Sequence, residues 1–415
     1  MKKKTLIHII GIILLRISLD VNYTYIIAPM FAYRGFLNQP TFASTIISWI
    51  ALILFIPFII SLYNKPSKIS TNVIVLLFLI SFIPMTSMMK FMPIDIWLIL
   101  AYIIYWFILF VSYKIIPTKN LKKVNQQNNI PIWIILVILS GSIIYVSGVY
   151  FRFRIHLNLR DVYDLRAEAR LLQLPTIIRY LISAARNILP VLLVYFLHKK
   201  NKKIALLIGF IILLEFSIGG HKTVFFKLIL SFIGFWFYNE KSIYKYSWIL
   251  SFVSLLSILE HKIYETFLIS GIFIRRVFYI PSLLNYYYYD FFIKNEPDYL
   301  RQGILRRLGF SSPYSTPIQR LIGDKYFGNI EIQANNGLFS DAFYNFNFLG
   351  VFILPPILIL IFKLIDSSAK GIDSKLIALP IIVVATSFNS GSFSSVLLTN
   401  GILLLMLTLY LLPRK

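Results

Sequence analysis

Twelve apolar stretches, most of them close to twenty residues, recur along this chain, and alternate connectors between them are short and Lys-rich. A run of that kind is what a helix needs to cross a hydrocarbon core, where the backbone must satisfy its own hydrogen bonds. The predicted spans are 5–31, 42–63, 71–89, 94–116, 130–150, 176–197, 203–219, 223–238, 246–262, 340–364, 376–388 and 394–412. The eleventh is short and breaks at Asn389-Ser390-Gly391. With 58% hydrophobic residues, 14% charged and a mean hydropathy of +0.75 over 415 residues, a soluble fold is excluded. The expectation is an all-α polytopic membrane protein of about 12 transmembrane helices, one integral membrane domain over 1–415. The opening MKKK and apolar run read as a retained first helix, because Arg16 and Asp20 follow and the cleavage pattern is weak.

Charge orients this bundle. The connectors NKPSK (64–68), KIIPTKNLKK (114–123), HKKNKK (198–203), NEKSIYK (239–245) and DSSAKGIDSK (366–375) are all Lys-rich, which places them and both termini on the cytoplasmic side. A net charge of +24 would suggest nucleic acid in a soluble protein; here topology absorbs most of it, and no nucleic-acid partner is expected. The cations are also sorted by type. The cytoplasmic segments hold 19 Lys and one Arg (Arg414), and the outer segments 14 Arg and 5 Lys. Either residue orients a helix, but only guanidinium grips phosphate or carboxylate as a fork. In a composition rich in Ile, Lys and Asn, Arg kept outside points to an anionic, diphosphate-bearing ligand. No Cys is present, so disulfides, zinc–thiolate sites and Cys nucleophiles are excluded. His156, His221 and His261 fall in outer segments without metal-ligand spacing, so neither metal nor cofactor is expected.

Two outer segments stand apart: an Arg-rich loop at 151–175 and a long stretch at 263–339, read as a lid or small subdomain. In the first, Asp161, Asp164 and Glu168 interleave with Arg166 and Arg170 at the spacing of a short amphipathic helix, either resting on headgroups or presenting an Arg to a ligand. Arg179 and Arg186 continue into the sixth span, where Arg186 either serves function or pairs with an acid such as Glu215. Gly219-Gly220-His221-Lys222 forms a tight turn before the next helix, suited to an anion, with Lys227 one turn deeper. Arg275-Arg276 suit a diphosphate or lipid phosphate, and the run Tyr286 to Tyr289, Tyr287 included, offers flat faces for sugars. Asp341 and Asn345 lie four apart where the tenth span begins. Arg16 and Asp20 are expected to pair as a structural element.

In this order, DVYDLR (161–166), GGHK (219–222), RRVFYIP (275–281), IGDKYFG (322–328) and ANNGLFSDAFYNFNFLG (334–350) resemble the Wzy-type O-antigen polymerase (oligosaccharide repeat-unit polymerase) family. The resemblance covers about 150–350 and departs from the family pattern at Asn347, where Gly usually follows Asn-Phe. It implies a metal-independent, GT-C-like glycosyltransferase at the outer face of the bacterial inner membrane. Such an enzyme transfers a glycan from undecaprenyl diphosphate to another lipid-linked repeat unit, making O-antigen or capsule among membrane lipids, with a chain-length regulator and a flippase as expected partners. Arg166, Arg186, Lys222, Arg275 and Arg276 are the expected diphosphate ligands, and Asp161, His221 or Asp341 the base. Tyr287 and Asn336 are expected to touch sugar, and Arg170 and Asn345 to bind substrate. The alternatives are an O-antigen ligase, a transporter of an anionic or lipid-linked solute, and a membrane scaffold subunit.

Overall fold

The apolar runs fold as helices in the computed structural model of the chain, which describes residues 2–63, 68–121, 129–158, 161–239, 242–303 and 305–414. Most of the connector at 64–68, parts of those at 114–123 and 239–245, and Arg160 lie outside these residues. Among the described residues, eight helices are long and apolar enough to cross a membrane: Thr5–Arg34, Phe42–Tyr63, Ile69–Phe91, Ile96–Ile115, Ile130–Phe151, Thr176–His198, Phe348–Ser368 and Phe393–Leu411. This is the architecture of an all-helical, multi-pass membrane protein. The other four expected spans are also helical, as Lys202–Gly219, Lys222–Phe237, Lys245–Tyr264 and Ala378–Ser390, but shorter or more polar. The chain forms two compact units: Met1–Pro117 with Lys241–Ile361 and Phe388–Phe393, and Thr118–Glu240 with Phe362–Ser387 and Ser394–Lys415.

The first unit is built on close helix contact. Helix Lys2–Asn22 packs along helix Lys245–Tyr264, whose Ser247, Ser251, Ser254 and Ser257 are buried along one face. A Cβ on Gly11 would come 2.6 Å from Ser247 Oγ, so glycine is what lets the backbones approach there. Asn22 Nδ2 donates to Ser254 O at 2.8 Å, and Ser257 Oγ to Asn22 Oδ1 at 2.9 Å, bonds that hold helices together where lipid offers no hydrophobic drive. Phe55, Phe78, Phe82, Tyr102 and Trp106, each fully buried, fill the core. The Arg16–Asp20 pair forms as expected. Arg16 also donates to Thr86 O at 3.0 Å and Ser48 Oγ at 3.1 Å, while Asp20 accepts from Ser87 and Lys90.

Part of the 263–339 stretch is packed into this unit. Its residues Ser270–Tyr279 form a π-helical run that continues directly as helix Ile280–Phe292, with Phe278, Tyr279, Tyr288 and Phe292 fully buried. The tyrosine run acts as a set of staples. Tyr287 stacks on Tyr326 with ring centroids 4.3 Å apart, Tyr288 donates to Ala334 O at 3.0 Å, and Tyr289 donates to Asp95 Oδ2 at 2.6 Å.

In the second unit, helix Thr176–His198 is central, packed by Ile130–Phe151, Lys202–Gly219, Lys222–Phe237 and Ile402–Leu411. The short helix Val162–Leu171 lies against Lys202–Gly219 near its C-terminal end.

Asn347 holds a backbone conformation that few residues with a side chain adopt. Its φ of 51° and ψ of −137° lie where glycine is favoured, between helices Phe339–Phe346 and Phe348–Ser368. Its side chain compensates by donating to Phe292 O at 3.1 Å and accepting from Phe348 N at 2.8 Å. Asn347→Gly is therefore expected to retain stability within about 1 kcal/mol, while Asn347→Val loses about 2 kcal/mol or more, read from thermal unfolding in detergent.

Candidate functional site

Helix Lys202–Gly219 ends at Gly220, which has a φ of +57°, and helix Lys222–Phe237 starts two residues later, after His221. Neither glycine has room for a side chain. A Cβ on Gly219 would lie 2.7 Å from His221 Cδ2 and 3.1 Å from Arg186 Nη2. A Cβ on Gly220 would lie 2.8 Å from Val162 O and 3.0 Å from Leu165 Cβ. The two glycines thus let helix Val162–Leu171 and the Arg186 guanidinium close on the same turn.

Three cations converge here. Arg166 reaches from helix Val162–Leu171 to donate from Nε to Gly220 O at 3.2 Å. Arg186, from the central helix, binds the Glu215 carboxylate, which is itself only 1% exposed. Lys227, from the following helix, donates to Asn187 Oδ1, and Asn187 is anchored through Nδ2 to Asn400 O at 2.7 Å. Burial, together with repulsion from Arg186, Arg166 and Lys227, drives the His221 imidazole down to about 3, so it is neutral at neutral pH. Glu215 is a buried carboxylate bound within this group, and Arg166, Arg186 and Lys227 all bear on the same imidazole.

The remaining predicted residues of this unit sit around the cluster. Lys222 opens helix Lys222–Phe237 and is half-buried, whereas Arg170 is exposed on the last turn of helix Val162–Leu171. Asp161 lies just before that helix, its Oδ2 2.8 Å from His156 Nε2 and 2.9 Å from Asn158 Nδ2. Glu168 pairs with Arg154, so the short helix is neutralised partly from outside itself.

The predicted residues of the first unit form a separate group. Arg275 stacks over Phe31 at 4.2 Å and Arg276 is exposed. Asn336 is 3% exposed, and its Nδ2 donates to Pro281 O, Asn285 Oδ1 and Ser340 Oγ. Asp341 accepts from Asn345 Nδ2 at 3.1 Å and from Phe393 N at 2.6 Å. Burial pushes its carboxyl up to about 6 against the pull of those hydrogen bonds. Asn345 Oδ1 in turn accepts from Leu300 N at 2.9 Å. Tyr287 is covered on one face by Tyr326. These four polar side chains are tied into the packing of their own unit. Sequence reasoning did not single out His156 or Asn187; the signals were a His five residues before Asp161 and an Asn directly after Arg186.

Comparison of the chain with known protein families, with curated proteins and with solved structures finds no match.

The folded imidazole of His221 refuses a proton that the unfolded one accepts below its ordinary 6.5. Its contribution to stability is therefore intact above pH 6.5 and falls away as the pH drops toward about 3. His221→Gln should show a smaller acid loss of thermal stability than the unsubstituted protein; an identical acid loss would contradict the buried, cation-flanked imidazole. Gly220→Val should unfold at lower temperature for a separate reason, the positive φ and the Val162 carbonyl.

Proposed function

We propose that the protein polymerises lipid-linked oligosaccharide repeat units at the outer face of the bacterial inner membrane. In this reading about twelve helices span the bilayer, both termini are cytoplasmic, and the Gly219-Gly220 turn faces outward. The observation that carries the proposal is the gathering of Arg166, Arg186 and Lys227 about that turn, beside the buried Glu215 carboxylate. When a glycan leaves undecaprenyl diphosphate for a hydroxyl of another lipid-linked unit, negative charge grows on the departing diphosphate. Cations held in place before reaction stabilise that charge without reorganising, and a site shielded from water strengthens them. Lys222, at the start of its helix, is assigned to the same anion. The ordered motifs from DVYDLR to the ANNGLFSDAFYNFNFLG segment support the same reading. Arg170, Arg275 and Arg276 are assigned to lipid phosphates.

An O-antigen ligase would use the same donor, so genetics must separate the two. Deletion of the gene is expected to collapse the surface-polysaccharide ladder to species carrying one repeat. Loss of every repeat would favour the ligase, and an unchanged ladder would sink both. Arg166→Lys and Arg186→Lys keep the charge but lose the planar fork, and each is expected to lower elongation roughly tenfold or more. Normal ladders from both variants would show that guanidinium geometry is not used.

A further inference from the structure

We infer that His156 is the general base that takes the proton of the attacking hydroxyl, with Asp161 holding its ring in position; this rests on the polymerase reading above. His156 Nε2 lies 2.8 Å from Asp161 Oδ2, the geometry of an imidazole N–H given to a carboxylate. That bond selects the tautomer in which Nδ1 carries the lone pair. Among the described residues no partner bonds Nδ1, so the nitrogen able to accept a proton is the one left available. Asn158 Nδ2 donates to the same Asp161 oxygen at 2.9 Å and steadies the carboxylate.

The dyad is fixed beside the cation cluster. The His156 backbone N–H donates to Ser217 Oγ at 3.0 Å, and Ser217 Oγ donates to His156 O at 3.3 Å. Ser217 stands two residues before Gly219, and the helix that follows Asp161 packs on Gly220 through Val162 and Leu165. The side chains of His156 and Asp161 are 34% and 39% exposed, open enough for an acceptor sugar to reach them. The other candidates suit the task less well. His221 is surrounded by cations that resist its protonation, and both Asp341 oxygens are occupied.

The step balances. The acceptor hydroxyl oxygen bonds to the anomeric carbon as that carbon's bond to the diphosphate oxygen breaks. The bonding pair leaves with the diphosphate, held by the cation cluster, and the hydroxyl proton moves to His156 Nδ1. The imidazolium so formed is stabilised by Asp161. Asp161 is a positioning residue, not the proton acceptor.

The test measures elongation of a lipid-linked repeat unit by the full chain in membrane vesicles, beside binding of inorganic pyrophosphate. His156→Ala is expected to lose about 100-fold or more in turnover while its affinity for pyrophosphate stays within about twofold. Added imidazole should restore part of that turnover, and Asp161→Asn should slow elongation without responding to imidazole. His156→Ala turning over at nearly the unsubstituted rate would overturn the inference. So would a variant that loses pyrophosphate affinity with turnover and ignores imidazole, since the ring would then be a prop for the cluster. No elongation by the unsubstituted protein would overturn the polymerase reading itself.

Discussion

A charged side chain within a membrane helix has little water to satisfy it, so the chain must supply its partner. Each unit meets that demand with an Arg–carboxylate pair, and the two pairs differ in what surrounds them. Arg16 is fully buried, and Asp20, Ser48 and Thr86 satisfy its guanidinium while Ser87 and Lys90 engage the carboxylate. That pair is a strut between helices. Arg186 also has its carboxylate, but Arg166 and Lys227 stand close enough to bear on the same imidazole. On the proposed reading, an anion from outside the chain complements these gathered cations.

The turn that closes this cluster depends on the absence of two side chains. Gly219 leaves room for the Arg186 guanidinium and the His221 ring, and Gly220 for the Val162 carbonyl. The short Arg-rich helix can then bring Arg166 to a backbone carbonyl of the turn, which fixes its guanidinium. Prior fixation of this kind is what lets an electrostatic site stabilise charge that appears only as a bond breaks.

Helix positions were readable from hydropathy because a span must be long and apolar, and the Arg16–Asp20 pair because four residues make one turn. The tight turn was readable because paired glycines permit one, and the Arg186–Glu215 pair because a membrane arginine calls for a partner. The sugar-contact assignments rested on residue type alone. Tyr287 and Asn336 look the same in a sequence whether they face a ligand or a neighbouring segment, and here Tyr326, Pro281, Asn285 and Ser340 occupy them. Asp341 is similar, since its partner Phe393 N lies 52 residues along the chain. His156 has no metal-ligand spacing in the sequence, and its pairing with Asp161 needs the loop between them to fold back. Local spacing carries short-range pairs; long-range closure needs the fold.

The central claim is that the Gly219-Gly220 turn and its three cations hold a diphosphate. The most direct measurement is a structure of the full chain determined with inorganic pyrophosphate. The account predicts density for the anion over that turn, contacted by Arg166, Arg186 and Lys227. Density confined to other sites, with Arg186 still closed on Glu215 and the turn empty at saturating pyrophosphate, would contradict it.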